Sequence, residues 1–115
     1  MKPLKSVALA AAAALSGGAA VAQIDILSVA FVCENGAELP VTYFNPTEGD
    51  GAAAMIVDGK LIALRQVPSG SGIRYESVGG QGTYVLRSKG WNATVSFAAD
   101  GAADETDVMA GCVSR

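Results

Sequence analysis

Histidine is absent from the 115-residue chain. That excludes imidazole acid–base catalysis and any His-ligated metal centre. Charge is sparse as well. Only 17% of residues are charged, and the eight basic residues are outnumbered by eleven acidic ones. A phosphate-binding surface needs clustered Lys and Arg, so nucleic acid is not an expected partner. Long hydrophobic runs are also missing, although half of the residues are hydrophobic. Much of that half is an alanine block near the N-terminus. Its unbroken apolar run, residues 7–15, falls well short of the roughly 20 residues that a spanning helix needs.

What is present at the N-terminus has the layout of a secretory signal. Lys2 and Lys5 precede the apolar run, Gly17 and Gly18 loosen the chain, and Ala20-Val21-Ala22 offers a small-x-small cleavage site. Residues 1–22 are therefore expected to be a signal peptide and residues 23–115 the mature domain. No cysteine lies near the cut, so no lipid anchor is expected, and there is no twin-arginine pair. Losing Lys2 and Lys5 leaves six basic residues against eleven acidic ones, a net charge of −5. Such a protein is drawn to basic partners. The style of the signal points to a bacterial source and a periplasmic destination.

Cysteine is scarce, and its placement is informative. Cys33 and Cys112 lie near the two ends of the mature chain. Export puts them in an oxidising compartment, where a disulfide is the default. It would close a loop of about 80 residues, worth at most roughly 4.5 kcal/mol by chain entropy. A domain this small is marginal without such help.

The mature chain alternates apolar and polar residues with turn residues between the runs. Strands are expected at residues 26–33, 38–44, 52–57, 60–67, 73–77, 83–87, 91–97 and 107–113. Asn35-Gly36 and Asp58-Gly59 are type I′ hairpin signals. Pro40 marks an edge or a bulge. No stretch reads as a helix. The expected fold is all-β, a small antiparallel eight-stranded barrel. Consecutive strands then alternate in direction. The loop carrying Ser71 and the Ser88-Lys89-Gly90 turn share one barrel end. Lys60 and the Gly79-Gly80-Gln81-Gly82 stretch fall at the other. The same alternation puts Cys33 and Cys112 at opposite ends, so their bond requires a stagger between first and last strands.

Several chemical readings are weak on this pattern. Ser71 and Lys89 could form a nucleophile–base dyad only if the lysine were buried with a depressed pKa. A Ser-Lys-Gly turn instead predicts an exposed ammonium. Asp104, Glu105 and Asp107 lack the spacing of a calcium loop. Asn92-Ala93-Thr94 is a glycosylation sequon of little weight in a bacterial protein. Trp91, Tyr84 and Phe97 read as core or rim aromatics. Neither a cofactor nor a metal is expected, and the chain does not read as an enzyme.

Six pieces fall in an ordered set. Phe31-Val32-Cys33 opens it, and the stretch from Leu39 to Asn45 follows. Asp58-Gly59 then precedes a strand ending in Leu64-Arg65-Gln66-Val67. Next come Ser71-Gly72-Ile73-Arg74-Tyr75 and Ser88-Lys89-Gly90, with Cys112 as the last cysteine. Together these resemble the bacterial inhibitors of c-type (chicken-type) lysozyme, across most of the mature chain. Arg87 stands where that family often has an aromatic residue. The absent lipid-anchoring cysteine makes the chain similar to the soluble, periplasmic branch.

The resemblance implies a plug that protects the cell wall. A loop bearing Ser71 and Gly72 would enter the cleft of a basic c-type lysozyme, with Lys89 approaching beside it. Arg74 and Tyr75 would support the loop, Arg74 by tying down loop carbonyls and Tyr75 by packing beneath. The rival expectation is an exported barrel that binds a small ligand or another envelope protein. Mass spectrometry of protein recovered from the periplasm should find a mature chain beginning at Gln23. An acylated or uncleaved N-terminus would overturn the signal assignment.

Overall fold

A computed structural model describes residues 23–114. The expected signal segment, residues 1–22, lies outside the described residues. Eight strands run in chain order: β1 (Ile24–Val32), β2 (Glu38–Pro46), β3 (Ala52–Val57), β4 (Lys60–Val67), β5 (Ile73–Ser77), β6 (Thr83–Lys89), β7 (Asn92–Ala98) and β8 (Thr106–Val113). Each pairs antiparallel with its neighbour, and β1 meets β8 to close the barrel. The all-β, eight-stranded antiparallel expectation holds.

Period-two patterning explains which faces turn inward. In β2, Leu39, Val41 and Tyr43 are buried while the residues between them are not. In β3 the buried set is Ala53, Met55 and Val57. Phe31, Leu64, Tyr75, Leu86 and Val95 complete an interior filled by side chains. The β7–β8 register shifts between Ala93 and Val95 and again between Val95 and Ser96. Such irregularities bend a strand. Here they accompany a buried Ser96, whose hydroxyl donates to Asp107 Oδ1 at 2.9 Å.

The two hairpin signals come out differently. At Asp58-Gly59 both residues have positive φ, 52° and 74°, as a type I′ turn requires. At Asn35-Gly36 only Gly36 does, at 84°. The Gly36 N–H donates to the Cys33 carbonyl at 2.8 Å, so the turn begins at Cys33 and is a longer one. Asn35 Oδ1 accepts from the Ala37 N–H, a local bond that favours this alternative. Pro40 makes no bulge. It pairs with Ala30 on the β1 side, and β3 begins to pair only at Val41. Position 40 thus has a strand neighbour on one side, the edge-like setting in which proline is tolerated.

Closure is narrow. Strand β1 pairs with β2 over nine positions but with β8 at one, Val32↔Val113. This is the stagger that the cysteine positions required. It carries Cys112 of β8 past the end of β1, where it bonds Cys33. One further tie across the seam is the Glu34 N–H to the Ala110 carbonyl at 3.1 Å. Both cysteines are buried.

With so few seam bonds, the disulfide carries most of the closure. Cys33→Ser/Cys112→Ser should lose up to about 4.5 kcal/mol of stability by the chain-entropy relation. Chemical denaturation of the two proteins checks this, and thiol titration of unfolded wild type should find no free thiol. A double variant as stable as wild type would mean that the seam closes without the bond.

Candidate functional site

The alternation of strand direction gathers three connections at one barrel end: residues 47–51, residues 68–72 and the turn at Gly90 and Trp91. Strand β6 is two residues longer than the patterning predicts, so Lys89 is its last residue rather than part of a turn. Lys89 pairs with Asn92 across the hairpin. A strand-end position holds its Cβ direction far better than a loop would.

Ser71 and Lys89 meet. The Lys89 ammonium donates to Ser71 Oγ at 3.0 Å, and both residues are exposed. The Ser71 hydroxyl hydrogen remains free to donate outward, as do the other hydrogens of the ammonium. The pair is therefore a small cluster of donors carrying one positive charge, suited to an anionic acceptor.

Its neighbours hold it in place. Ser69 Oγ donates to the Ser71 carbonyl at 2.8 Å, which braces the loop from within. Gly72 has φ of 67°. A Cβ there would lie 2.7 Å from the Ser88 carbonyl oxygen and 3.2 Å from Lys89 Cβ. Glycine is thus demanded twice, by backbone conformation and by the close approach of the loop to β6. Beneath the pair, the Tyr43 hydroxyl shares a 2.9 Å hydrogen bond with Ser88 Oγ. Tyr43 and Tyr75 pack with ring centroids 5.6 Å apart. Burial raises the pKa of both phenols, for Tyr43 against the bond from Ser88 and for Tyr75 with the neighbouring Tyr43 adding to it. Both stay protonated at neutral pH.

Arg74 corrects its expectation. It does not tie down loop carbonyls. It points along the barrel wall and pairs with Glu76 at 3.1 Å and Glu105 at 3.6 Å. Arg87, directly across from Arg74 in the β5–β6 register, binds both Glu105 oxygens at 3.0 and 3.2 Å. Glu105, ahead of β8, thus links β5, which follows the Ser71 loop, to β6, which ends in Lys89. Arg74 extended from β5 meets these carboxylates before it could curl back to the loop. Tyr75, by contrast, is buried in the core behind the loop.

A cavity of about 330 Å³ opens beside the pair, lined by Leu27, Tyr43, Ile73, Tyr75, Lys89 and Trp91 among others. Patterning alone placed the Ser69 loop and the Ser88 turn at this end but gave Ser69, Ser88 and Trp91 no part in the site. Ser69 had a local signal, a hydroxyl two residues from Ser71 in a Ser/Gly loop.

Residues 31–104 match the family described as MliC, membrane-bound lysozyme-inhibitor of c-type lysozyme. The chain belongs to this family. The membrane-bound lysozyme inhibitor of C-type lysozyme from Pseudomonas aeruginosa is 32% identical over 74 residues, which cover 64% of this chain. The match spans 55% of that relative's length. Two solved structures are similar. The periplasmic lysozyme inhibitor PliC-St from Salmonella typhimurium aligns over 79% of this chain and 99% of its own, with a TM-score of 0.68 and 24% identity. That likeness is one of fold. Pseudomonas aeruginosa MliC, crystallised in complex with hen egg white lysozyme, aligns over 100% of this chain and 99% of its own, with a TM-score of 0.58 and 26% identity. Within the MliC family match lie Ser71, Gly72, Arg74, Tyr75 and Lys89. Cys112 lies beyond it.

The Arg87 bond holds the Glu105 carboxyl below the usual carboxylate range. Burial opposes this, and the charges of Arg87 and Arg74 add to it. A lowered folded value contributes stability above the unfolded value of about 4.3 and loses it as pH falls through the folded one. Glu105→Gln should therefore melt below wild type at pH 7. The loss should be about 1 kcal/mol or less, since these pairs are partly exposed. The two melting temperatures should converge at acid pH, below the folded value. A gap that persists in acid would show that the carboxylate charge is not what holds the bridge.

Proposed function

We propose that this chain is an exported inhibitor of c-type lysozyme and that Ser71 and Lys89 form its contact with the catalytic carboxyls. The observation that carries the reading is the Lys89–Ser71 hydrogen bond of 3.0 Å at an exposed barrel end. Membership of the MliC family and the lysozyme complex of a similar protein support the choice of partner. The similar proteins are inhibitors of an enzyme rather than enzymes.

The chemistry is complementary. Lysozyme works with two carboxyl groups, one protonated as the acid and one ionised. The ammonium of Lys89 suits the ionised group. The Ser71 hydroxyl can donate to one carboxyl and accept from the other. Gly72 lets the loop bed against β6 at its special φ, and Ser69 braces it, so little ordering is left to occur on binding. Arg74 acts through Glu105 and Glu76 as part of the wall beneath the loop, and Tyr75 supports it from the core. A mature net charge of −5 steers the chain toward a basic lysozyme. The signal-like layout of residues 1–22 and the absence of a cysteine near its expected cut favour a periplasmic protein without a lipid anchor. Its role there would be to protect the cell wall. The rival reading, a small-ligand barrel, has only the open cavity of about 330 Å³ at the mouth in its favour, since core side chains fill the rest of the interior.

Inhibition of hen egg white lysozyme, followed by cell-wall lysis, tests the proposal. Wild type should inhibit at near-equal stoichiometry. Lys89→Ala should raise the inhibition constant by about one to three decades, at roughly 1.4 kcal/mol per decade. Ser71→Ala should cost less, on the order of 1–2 kcal/mol. Both should melt like wild type, because both side chains are exposed. Lys60→Ala, at the opposite end, should change little. No inhibition in large excess, or loss with Lys60→Ala but not Lys89→Ala, would overturn the assignment.

A further inference from the structure

The chain has a single tryptophan, and Trp91 is 61% exposed at the β6–β7 turn. An indole offers a large apolar gain on burial, so its placement in water beside the Lys89–Ser71 pair asks for a cause. Scattered exposed apolar residues need none. Trp91 is not isolated. It lines the mouth cavity together with Leu27 and Ile73, which are 55% and 42% exposed. Lys89 and Gly72 line the same cavity. Apolar side chains thus border the charged pair on its Lys89 side.

The apolar border is also preorganised at Trp91. The Trp91 carbonyl accepts the Ser114 N–H at 3.0 Å, and its neighbours Lys89 and Asn92 are a register pair of the hairpin. The ring projects from pinned backbone rather than from a loose loop, which lowers the ordering cost of a contact.

We infer that Trp91, with Leu27 and Ile73, is an apolar anchor site for the same lysozyme whose carboxyls face Lys89 and Ser71. It would take a cluster of apolar side chains at the edge of the enzyme's cleft. The inference deepens the function proposed above and rests on it. An exposed ion pair is worth little by itself. Apolar contacts that exclude water around it raise its worth, and tryptophan is among the residues most often found at such binding hot spots. Lys89 would select the charge of the cleft, and Trp91 would select the apolar character of its edge.

Hen egg white lysozyme is the probe. Inhibition constants are measured for wild type, Trp91→Ala, Trp91→Phe, Lys89→Ala and Leu61→Ala. Leu61 is 76% exposed but stands at the opposite end, at the start of β4. Because the chain has one tryptophan, 5-fluorotryptophan labelling of wild type gives one fluorine resonance, read during titration with lysozyme. Trp91→Ala should raise the inhibition constant about 30-fold, as a hot-spot truncation does. Trp91→Phe should keep most of the affinity, and Leu61→Ala should match wild type. The fluorine resonance should shift and saturate at one equivalent. Trp91→Ala inhibiting as well as wild type, with an unmoved resonance while Lys89→Ala is weakened, would overturn the anchor alone. Unchanged inhibition by both Lys89→Ala and Trp91→Ala would overturn the parent reading with it. If Trp91→Ala proves unstable, the resonance decides. A saturating shift supports the anchor, and no shift refutes it.

Discussion

The stagger between β1 and β8 is the constraint on which the rest depends. A barrel closes only if its strands tilt and their registers shift around the ring. Here the accumulated shift leaves a single register pair at the seam, Val32↔Val113, and brings Cys33 and Cys112 together although they belong to opposite ends of a flat sheet. The disulfide then holds what the ladder does not. A core of roughly 15 side chains in a domain of this size is marginal. By chain entropy the covalent tie adds several kcal/mol to that narrow margin.

Closure in turn sets where chemistry can occur. Strands of alternating direction deliver the 68–72 loop and the end of β6 to one rim, and the close approach at Gly72 brings them into contact. The Lys89–Ser71 bond is a consequence of that approach. The core contributes from beneath through Tyr43, whose phenol reaches Ser88, and through Tyr75 packed against it. On the outside, Glu105 joins Arg74 and Arg87, tying β5 to β6 just below the rim. Residues around the rim thus fix the geometry of the Lys89–Ser71 pair. For a protein of the MliC family this is economical, because an inhibitor gains affinity by being rigid before it binds.

Eight strands were legible in the alternation of apolar residues, and most ends lay within two residues of their observed positions. The misses have physical causes. Strand β6 runs on through Ser88 and Lys89 because Ala93 and Asn92 offer ladder partners, which outweighs the turn preference of Ser-Lys-Gly. The Asn35-Gly36 turn is longer than its dipeptide implies because Asn35 bonds locally to Ala37. Arg74 reads as a loop clamp only while Glu105 is out of sight. Glu105 is 31 positions away, beyond the reach of any local pattern.

The sequence by itself determined the fold class, the strand order, the cysteine pair and the shared rim of Ser71 and Lys89. These follow from period-two patterning, turn chemistry and the parity of strand direction, all of which are local or additive along the chain. Only the tertiary structure decided the rest: the single-pair seam, the 3.0 Å contact between Lys89 and Ser71, the bridge through Glu105, and the exposure of Trp91 beside Leu27 and Ile73. Each depends on how far the register has shifted after several strands and on which side chains then meet across the barrel. That sum of small displacements is fixed by packing and closure, and no window of sequence contains it.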